Sequence, residues 1–350
     1  MRALARPVLA LVVLAGCLGH RDTFDTSAIR GEPVRVTQAD DEEEDASLVR
    51  ARDGRFHIVW WAKRRGQVDL FVRSSPDGLA WGDEHQITND ADEDYYPALL
   101  QVRDGTFHLV WFRTAGKEGR KDLWYARSPD AVHWTAPTRL TQTGLEWAPA
   151  IYEDGFHVLW IVWSSSRTGN RELFAMRSGD AGHTWSVPFR LTDSPEEDDF
   201  PHVLVLANGD RMLTWTRYRA GSRLGDYYRD GSAEVVTATS HDGLRWSAPV
   251  VVSPPDPEAR FVDILPVLFA DAGGQRIFVA WTSSRAGFLG DVLVRELTQS
   301  PGSVRQLTTS WGSDYGGKVV AAGDAGEYVL AWTASRLLGS AHVFTRRFRL

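Results

Sequence analysis

Ser178-Gly179-Asp180-Ala181-Gly182-His183-Thr184-Trp185 is the stretch from which the fold follows. Ser, Asp, Gly and Trp in that spacing suit a tight hairpin: the carboxylate accepts turn amides, the Gly relieves the backbone and the Trp covers the apolar side. The pattern returns, one residue shorter, from Ser75 through Asp77 to Trp81, from Ser128 through Asp130 to Trp134, and from Ser240 through Asp242 to Trp246. A recurring hairpin implies a recurring unit around it.

That unit extends to both sides of the hairpin. Strand-like runs end in Trp60, Trp111, Trp163, Trp215, Trp281 and Trp332, at intervals of 51, 52, 52, 66 and 51 residues. A second series of short runs ends in Thr or Ser, at residues 34–37, 85–88, 138–141, 189–192, 250–253 and 305–308. Within the second repeat, residues 98–102, 107–113, 122–127 and 138–141 read as strands a to d, separated by turn residues. A period of about 50 residues built only from short strands is the mark of a propeller, because one four-stranded sheet cannot bury both faces alone. The sixth repeat ends at Leu350 without a d strand, whereas residues 34–37 precede any a strand. The pattern predicts an all-β, six-bladed β-propeller of four-stranded antiparallel blades over residues 33–350, one domain, with residues 34–37 completing the last blade and removing exposed edges.

Composition narrows the function. With 43% apolar and 24% charged residues in 350, the chain is an ordinary globular protein rather than a disordered, collagenous or multispanning one. A net charge of −7 argues against nucleic acid as a partner. The ten His form no metal-ligand spacing, and phosphate loops, dinucleotide fingerprints and Gly-x-Ser-x-Gly elbows are missing, so no cofactor and no metal are expected. Six consecutive acids, residues 40–45, read as a solvated loop, with a Ca²⁺ site or a basic partner as the alternative. The single Cys excludes a disulfide scaffold. Its position suggests another use: Arg2 and Arg6, then apolar residues 7–14, then Leu14-Ala15-Gly16-Cys17. This resembles a bacterial lipoprotein signal. The resemblance implies a signal peptide over residues 1–16, cleavage before Cys17 and lipidation of its thiol, with residues 17–32 as lipidated Cys and tether. It further implies a protein held in the cell envelope with the membrane as partner, and Leu18 in place of Asp points to the outer membrane of a Gram-negative cell; a monomer is expected. An ordinary secretory signal with an incidental Cys is the alternative.

Four Ser-x-Asp hairpins in this period resemble the Asp-box, or BNR, propellers of the sialidase superfamily, over about residues 33–350. In that family the box is a folding device on the face opposite the active site. The resemblance therefore implies that function lies on the other face, formed by the d–a and b–c connections. That face carries two sets of charge. Aligning the repeats on Ala46, Pro97, Pro149, Pro201, Pro266 and Gly317 places an acid three residues earlier in each: Glu43, Asp94, Glu146, Asp198, Asp263 and Asp314. Four residues after the Trp stands Arg64, Arg167, Arg219, Arg285 or Arg336, with Ala115 the exception. These sets read either as braces that pair within or between blades, or as the lining of a binding mouth.

Residues that break the repeat are the better ligand candidates: Tyr95, Trp147, Trp311, and Tyr227, Tyr228 and Arg229 in the insertion of the fourth repeat. A working sialidase, as the family implies, needs three Arg on the substrate carboxylate, a Tyr nucleophile with a Glu partner, and an Asp acid/base. Tyr315, Glu146, Asp94, Arg219, Arg260 and Arg285 are the positions available for those roles, but the family's early Phe/Tyr-Arg-Ile-Pro motif is absent. The expectation is a non-catalytic module for recognition of a glycan or protein. The alternative is an exo-acting glycoside hydrolase of the sialidase type, which requires three Arg side chains to meet above a Tyr.

Overall fold

A computed structural model describes residues 22–39, 41–116, 118–219, 232–286, 290–298, 302–310, 312–335 and 339–350. Cys17 and the signal segment lie outside the described residues, as do Tyr227, Tyr228, Arg229, Trp311 and Arg336.

All described elements are strands. After β1 (Val34–Arg35), strands β2 (Glu43–Arg50), β3 (Phe56–Arg64), β4 (Gln67–Ser75) and β5 (His85–Gln86) form one antiparallel sheet. A second contains β6 (Glu93–Gln101), β7 (Phe107–Ala115), β8 (Arg120–Ser128) and β9 (Thr138–Arg139). The third is β10 (Glu146–Glu153), β11 (Leu159–Ser165), β12 (Glu172–Ser178) and β13 (Phe189–Arg190). Next, β14 (Glu197–Val205), β15 (Arg211–Tyr218), β16 (Ser232–Ser240) and β17 (Val250–Val251) share one eight-stranded sheet with β18 (Phe261–Ala270), β19 (Ile277–Ser283), β20 (Asp291–Glu296) and β21 (Val304–Gln306). Finally β22 (Ser313–Ala321), β23 (Glu327–Ser335) and β24 (His342–Arg349) form a sheet with β1, in which Val34 lies opposite Thr345 and Arg35 opposite Phe344.

The architecture is an all-β propeller, but its sheets differ from six separate four-stranded ones. Four are separate, and the fourth and fifth sets are joined because the starts of β16 and β18 pair in parallel, Ser232 with Phe261 and Ala233 with Val262. The apolar faces explain the arrangement of the rest. Trp111 and Leu109 of β7 pack with Trp61 and Val59 of β3, and Trp60 and Ile58 on the other face of β3 pack with Val329 and Val343 of the final sheet. Strand alternation thus gives every sheet two buried faces, which only neighbours on both sides can cover.

The four Ser-x-Asp hairpins lie between adjacent sheets. Asp77 Oδ1 accepts the Leu79 and Ala80 amides at 2.9 and 2.7 Å, and Asp242 Oδ1 accepts those of Leu244 and Arg245 at 2.8 Å each. Asp130 and Asp180 accept turn amides in the same way; the His133 amide chiefly holds the Asp130 carboxyl well below the usual range, and the Thr184 hydroxyl, then its amide, that of Asp180. Gly78 has a φ of +76°, and a Cβ there would come within 2.8 Å of Val329 in the neighbouring sheet. The hairpin is a packing device as well as a turn.

Two sequence expectations change. Residues 22–32 are not a free tether: Ala28 is 2% exposed within the core, Ile29 bridges Phe348, Asp25 bridges Arg305, and Phe24 packs against a further apolar cluster. Apolar side chains in this segment give it a groove to fill. Nor are residues 41–45 a solvated loop, since Glu43 is fully buried and begins β2.

Candidate functional site at the channel mouth

The acids expected three residues before each anchor are indeed repeated, and each has a partner within its own sheet, Glu43 meeting His342 of the final sheet as well. Asp94 accepts Trp111 Nε1 at 2.7 Å and Arg113 Nε at 2.7 Å. Glu146 accepts Trp163 Nε1 and Arg167 Nη2, both at 2.5 Å. Asp263 accepts Trp281 Nε1 at 2.9 Å and Arg285 Nε at 3.1 Å. Asp198 pairs with Arg217, Glu43 with Arg64, and Asp314 accepts Trp332 Nε1 at 3.1 Å. All six carboxylates are buried. Burial raises the carboxyls of Asp94, Asp198, Asp263 and Asp314, opposed in the first three by the Arg partner. These are braces.

The residues proposed for catalysis do not converge. Asp94, Glu146 and Arg285 are the brace residues just described. Arg219 donates to the Asp256 carbonyl at 2.9 Å, and the exposed Arg260 lies 3.4 Å from Glu258. The buried Tyr315 lies by the Glu44 carboxyl, whose pKa its hydroxyl lowers, whereas Glu146 is occupied by Trp163 and Arg167.

A different set comes together around the channel. Each inner strand bulges at its start, and the residue just before the anchor is left-handed: Asp45, Tyr96, Ala148, Phe200, Leu265 and Gly316, with φ between 43° and 66°. A non-Gly residue pays on the order of 1–3 kcal/mol for that conformation. Four of the bulges are held from the preceding set of strands by the hydroxyl that follows its Trp. Asp45 N donates to Thr333, Phe200 N to Ser164, Leu265 N to Thr216 and Gly316 N to Thr282, at 3.1 to 3.2 Å.

In the first two sheets an aromatic ring replaces that hydroxyl, and an asymmetric wall results. Trp61 stands 5.2 Å from Tyr95, and Phe112 stands 4.8 Å from Trp147 between ring centroids. Tyr96 links Trp147 at 5.2 Å to Phe200 at 6.0 Å. Lys121 Nζ lies 3.6 Å from the Trp147 ring centroid, and burial, reinforced by nearby Arg171, brings its pKa down to about 8. Arg171 is paired with Asp199. The Trp147 indole N–H is buried without a hydrogen-bond partner. Opposite Trp61 in the β2–β3 pairing, at the edge of this wall, burial and the neighbouring Asp45 push the Glu44 carboxyl up. Below the mouth the six inner strands enclose a cavity of about 910 Å³.

Of the ligand candidates within the described residues, Tyr95 and Trp147 belong to this wall. Sequence reasoning missed Tyr96, Phe112, Lys121, Arg171 and Phe200. The signal was present as Trp60-Trp61 and Trp111-Phe112, where the other four repeats have Trp followed by Ser or Thr. Among the described residues no group of three or more His, Cys, Asp or Glu is placed to hold a metal ion.

No protein-family model matches the sequence, and no curated protein matches it. Among solved structures, the fold is similar to a protein of unknown function from Dyadobacter fermentans, with a TM-score of 0.74 and 16% identity over 91% of this chain and 98% of that one. The intramolecular trans-sialidase from Ruminococcus gnavus gives a TM-score of 0.63 at 11% identity, covering 91% and 97% of the two chains. An endo-arabinase from Bacteroides thetaiotaomicron gives 0.51 at 16% identity, covering 83% and 100%. At such identities the likeness is one of fold, and the fold is a sialidase-like β-propeller.

Proposed function

We propose that the protein is a lipid-anchored, extracytoplasmic recognition module that binds a glycan across the channel mouth and performs no chemistry on it. In this reading the eight-stranded sheet counts as two blades, making six, and β1 closes the ring. Cys17 carries the lipid, and the protein acts as a monomer at the outer membrane. One observation carries the non-catalytic reading: Asp94 and Glu146 are consumed by Trp and Arg partners of their own sheets, and Arg285 by Asp263. A carboxylate so held is poorly placed to exchange protons with a substrate. The aromatic wall of Tyr95, Tyr96 and Trp147, with Lys121 beside it, supplies flat apolar surface and a cation, which suits stacking on sugar faces.

The hydrolase reading has one observation in its favour, the nearness of Tyr315 to the Glu44 carboxyl at the same mouth. Two measurements separate the readings. On a glycan array, wild type binds and Trp147→Ala abolishes binding; in a fluorogenic sialoside assay, turnover stays at the level of Tyr315→Phe. Turnover well above that control overturns the recognition reading, and an array without any binding removes the glycan.

A further inference from the structure

Two residues below the left-handed ring, the inner strands carry Ser47, Ala98, Ala150, His202, Val267 and Lys318. Five of these are small, apolar or neutral. At this level Lys318, on β22, is the one cation among the six, and it lines the cavity of about 910 Å³, whose far end also takes in Arg50. Its ammonium has no hydrogen-bond or ion-pair partner among the described residues; the charge that reaches it is Asp45, beyond ion-pair distance, and it in turn acts on His202. Asp45 is itself engaged, accepting Trp61 Nε1 at 2.7 Å. A half-buried ammonium without a counterion favours an anion beside it.

His202 supplies a second fixed group. Its Nδ1 accepts the Leu268 amide at 3.2 Å, so in the neutral ring Nε2 carries the hydrogen. Burial, with Lys318 nearby, keeps the ring neutral by bringing its pKa down to about 3. The remaining wall is largely aliphatic, including Ala98, Ala150, Leu204 and Val267. Its volume falls within the range of about 300–1,000 Å³ typical of small-ligand pockets.

We propose that the channel interior is a binding site for a small organic monocarboxylate, its head group held by the Lys318 ammonium and the His202 Nε2–H, its hydrocarbon part lying against the aliphatic wall. One cation and one neutral donor match a single negative charge. Asp45 on the neighbouring strand disfavours a second, which argues against phosphate. The site does not depend on whether the mouth above it takes a glycan.

Calorimetric titration of the full chain with acetate, hexanoate and octanoate, with hexan-1-ol and inorganic phosphate as controls, tests this. Hexanoate or octanoate binds wild type saturably, and binding weakens at least tenfold in Lys318→Met while any affinity for hexan-1-ol is unchanged. Lys318→Gln serves as the second variant. In the absence of ligand, Lys318→Met melts at a higher temperature than wild type, because a half-buried charge without a counterion has been removed. The proposal is overturned if none of the carboxylates binds, if wild type and variant bind them equally, if phosphate binds better, or if Lys318→Met and Lys318→Gln both melt lower.

Discussion

A buried carboxylate persists only where its charge is met, and Asp263 shows how this chain meets it: an indole N–H from one side, a guanidinium from the other. The acids were legible from their spacing, but the partners only in part. Arg64, Arg167 and Arg285 stand four residues after their Trp, as expected; in the second and fourth sets Arg113 and Arg217, two residues after it, do the same work. Both positions face the same side of a strand, and the long Arg side chain reaches the acid from either, so a single fixed offset could not find them all. His108 provides a test of burial at this scale. It is 1% exposed, its Nδ1 lies 2.5 Å from the Tyr125 hydroxyl, and burial lowers its pKa from 6.5 to about 4. The unfolded chain therefore takes up this proton first. The contribution of His108 is complete above pH 6.5 and is lost as pH falls through 6.5 towards about 4. Urea unfolding at about pH 7 and about pH 4.5 should show wild type losing on the order of 2–3 kcal/mol more than His108→Gln. Asp94 and Asp263, whose pKa values are raised, shift stability in the opposite direction, but equally in both proteins. Equal losses in the two proteins contradict the assignment.

At the scale of elements, the N-terminal segment departs most from its sequence reading. No apolar period marks residues 18–32, because a strap that follows a groove needs only isolated contacts and no strand or helix pattern. Yet Asp22 N donates to the Arg285 carbonyl at 3.2 Å, Gln306 N to Asp25 at 3.0 Å, and Arg349 N to Ala28 at 3.2 Å. Val36 N then donates to Val343 at 2.8 Å, continuing the β1–β24 pairing. The segment thus ties the fifth strand set to the last sheet. Deleting residues 18–30 should lower the melting temperature by several degrees, and deleting 18–38, which also removes β1, should lower it much further or prevent folding. A deletion of 18–30 that melts like wild type would return this segment to a tether; equal melting of both deletions would deny β1 any part in closing the fold. The repeated strands themselves were readable because short apolar runs between turn residues recur at a nearly fixed interval. The β16–β18 junction was not, because two residues of parallel pairing leave no periodic trace.

For the whole molecule, the strap decides which face the proposed lipid would bring to the membrane. Asp22 is anchored at Arg285, just beyond the end of β19 where that strand pairs with the start of β18, and this is the end of the propeller that carries the channel mouth. Cys17 is five residues earlier, so a lipid on its thiol lies no more than about 18 Å along the chain from Asp22. The Ser-x-Asp hairpins are at the far end of the strands, a further 25–30 Å or so away. A lipid on Cys17 should therefore hold the mouth towards the bilayer and present it to membrane-borne ligands, with the hairpin face outward. With Cys17 blocked by lipid, Glu258→Cys on the mouth side and Arg245→Cys in a hairpin each give one labelling site. A fluorophore at 258 should be quenched by head-group-attached quenchers in vesicles, and one at 245 should not. Detergent phase partitioning of wild type against Cys17→Ser establishes separately whether the anchor exists. A protein that partitions with detergent but is quenched equally at both positions, or more at 245, contradicts the orientation and leaves the anchor standing.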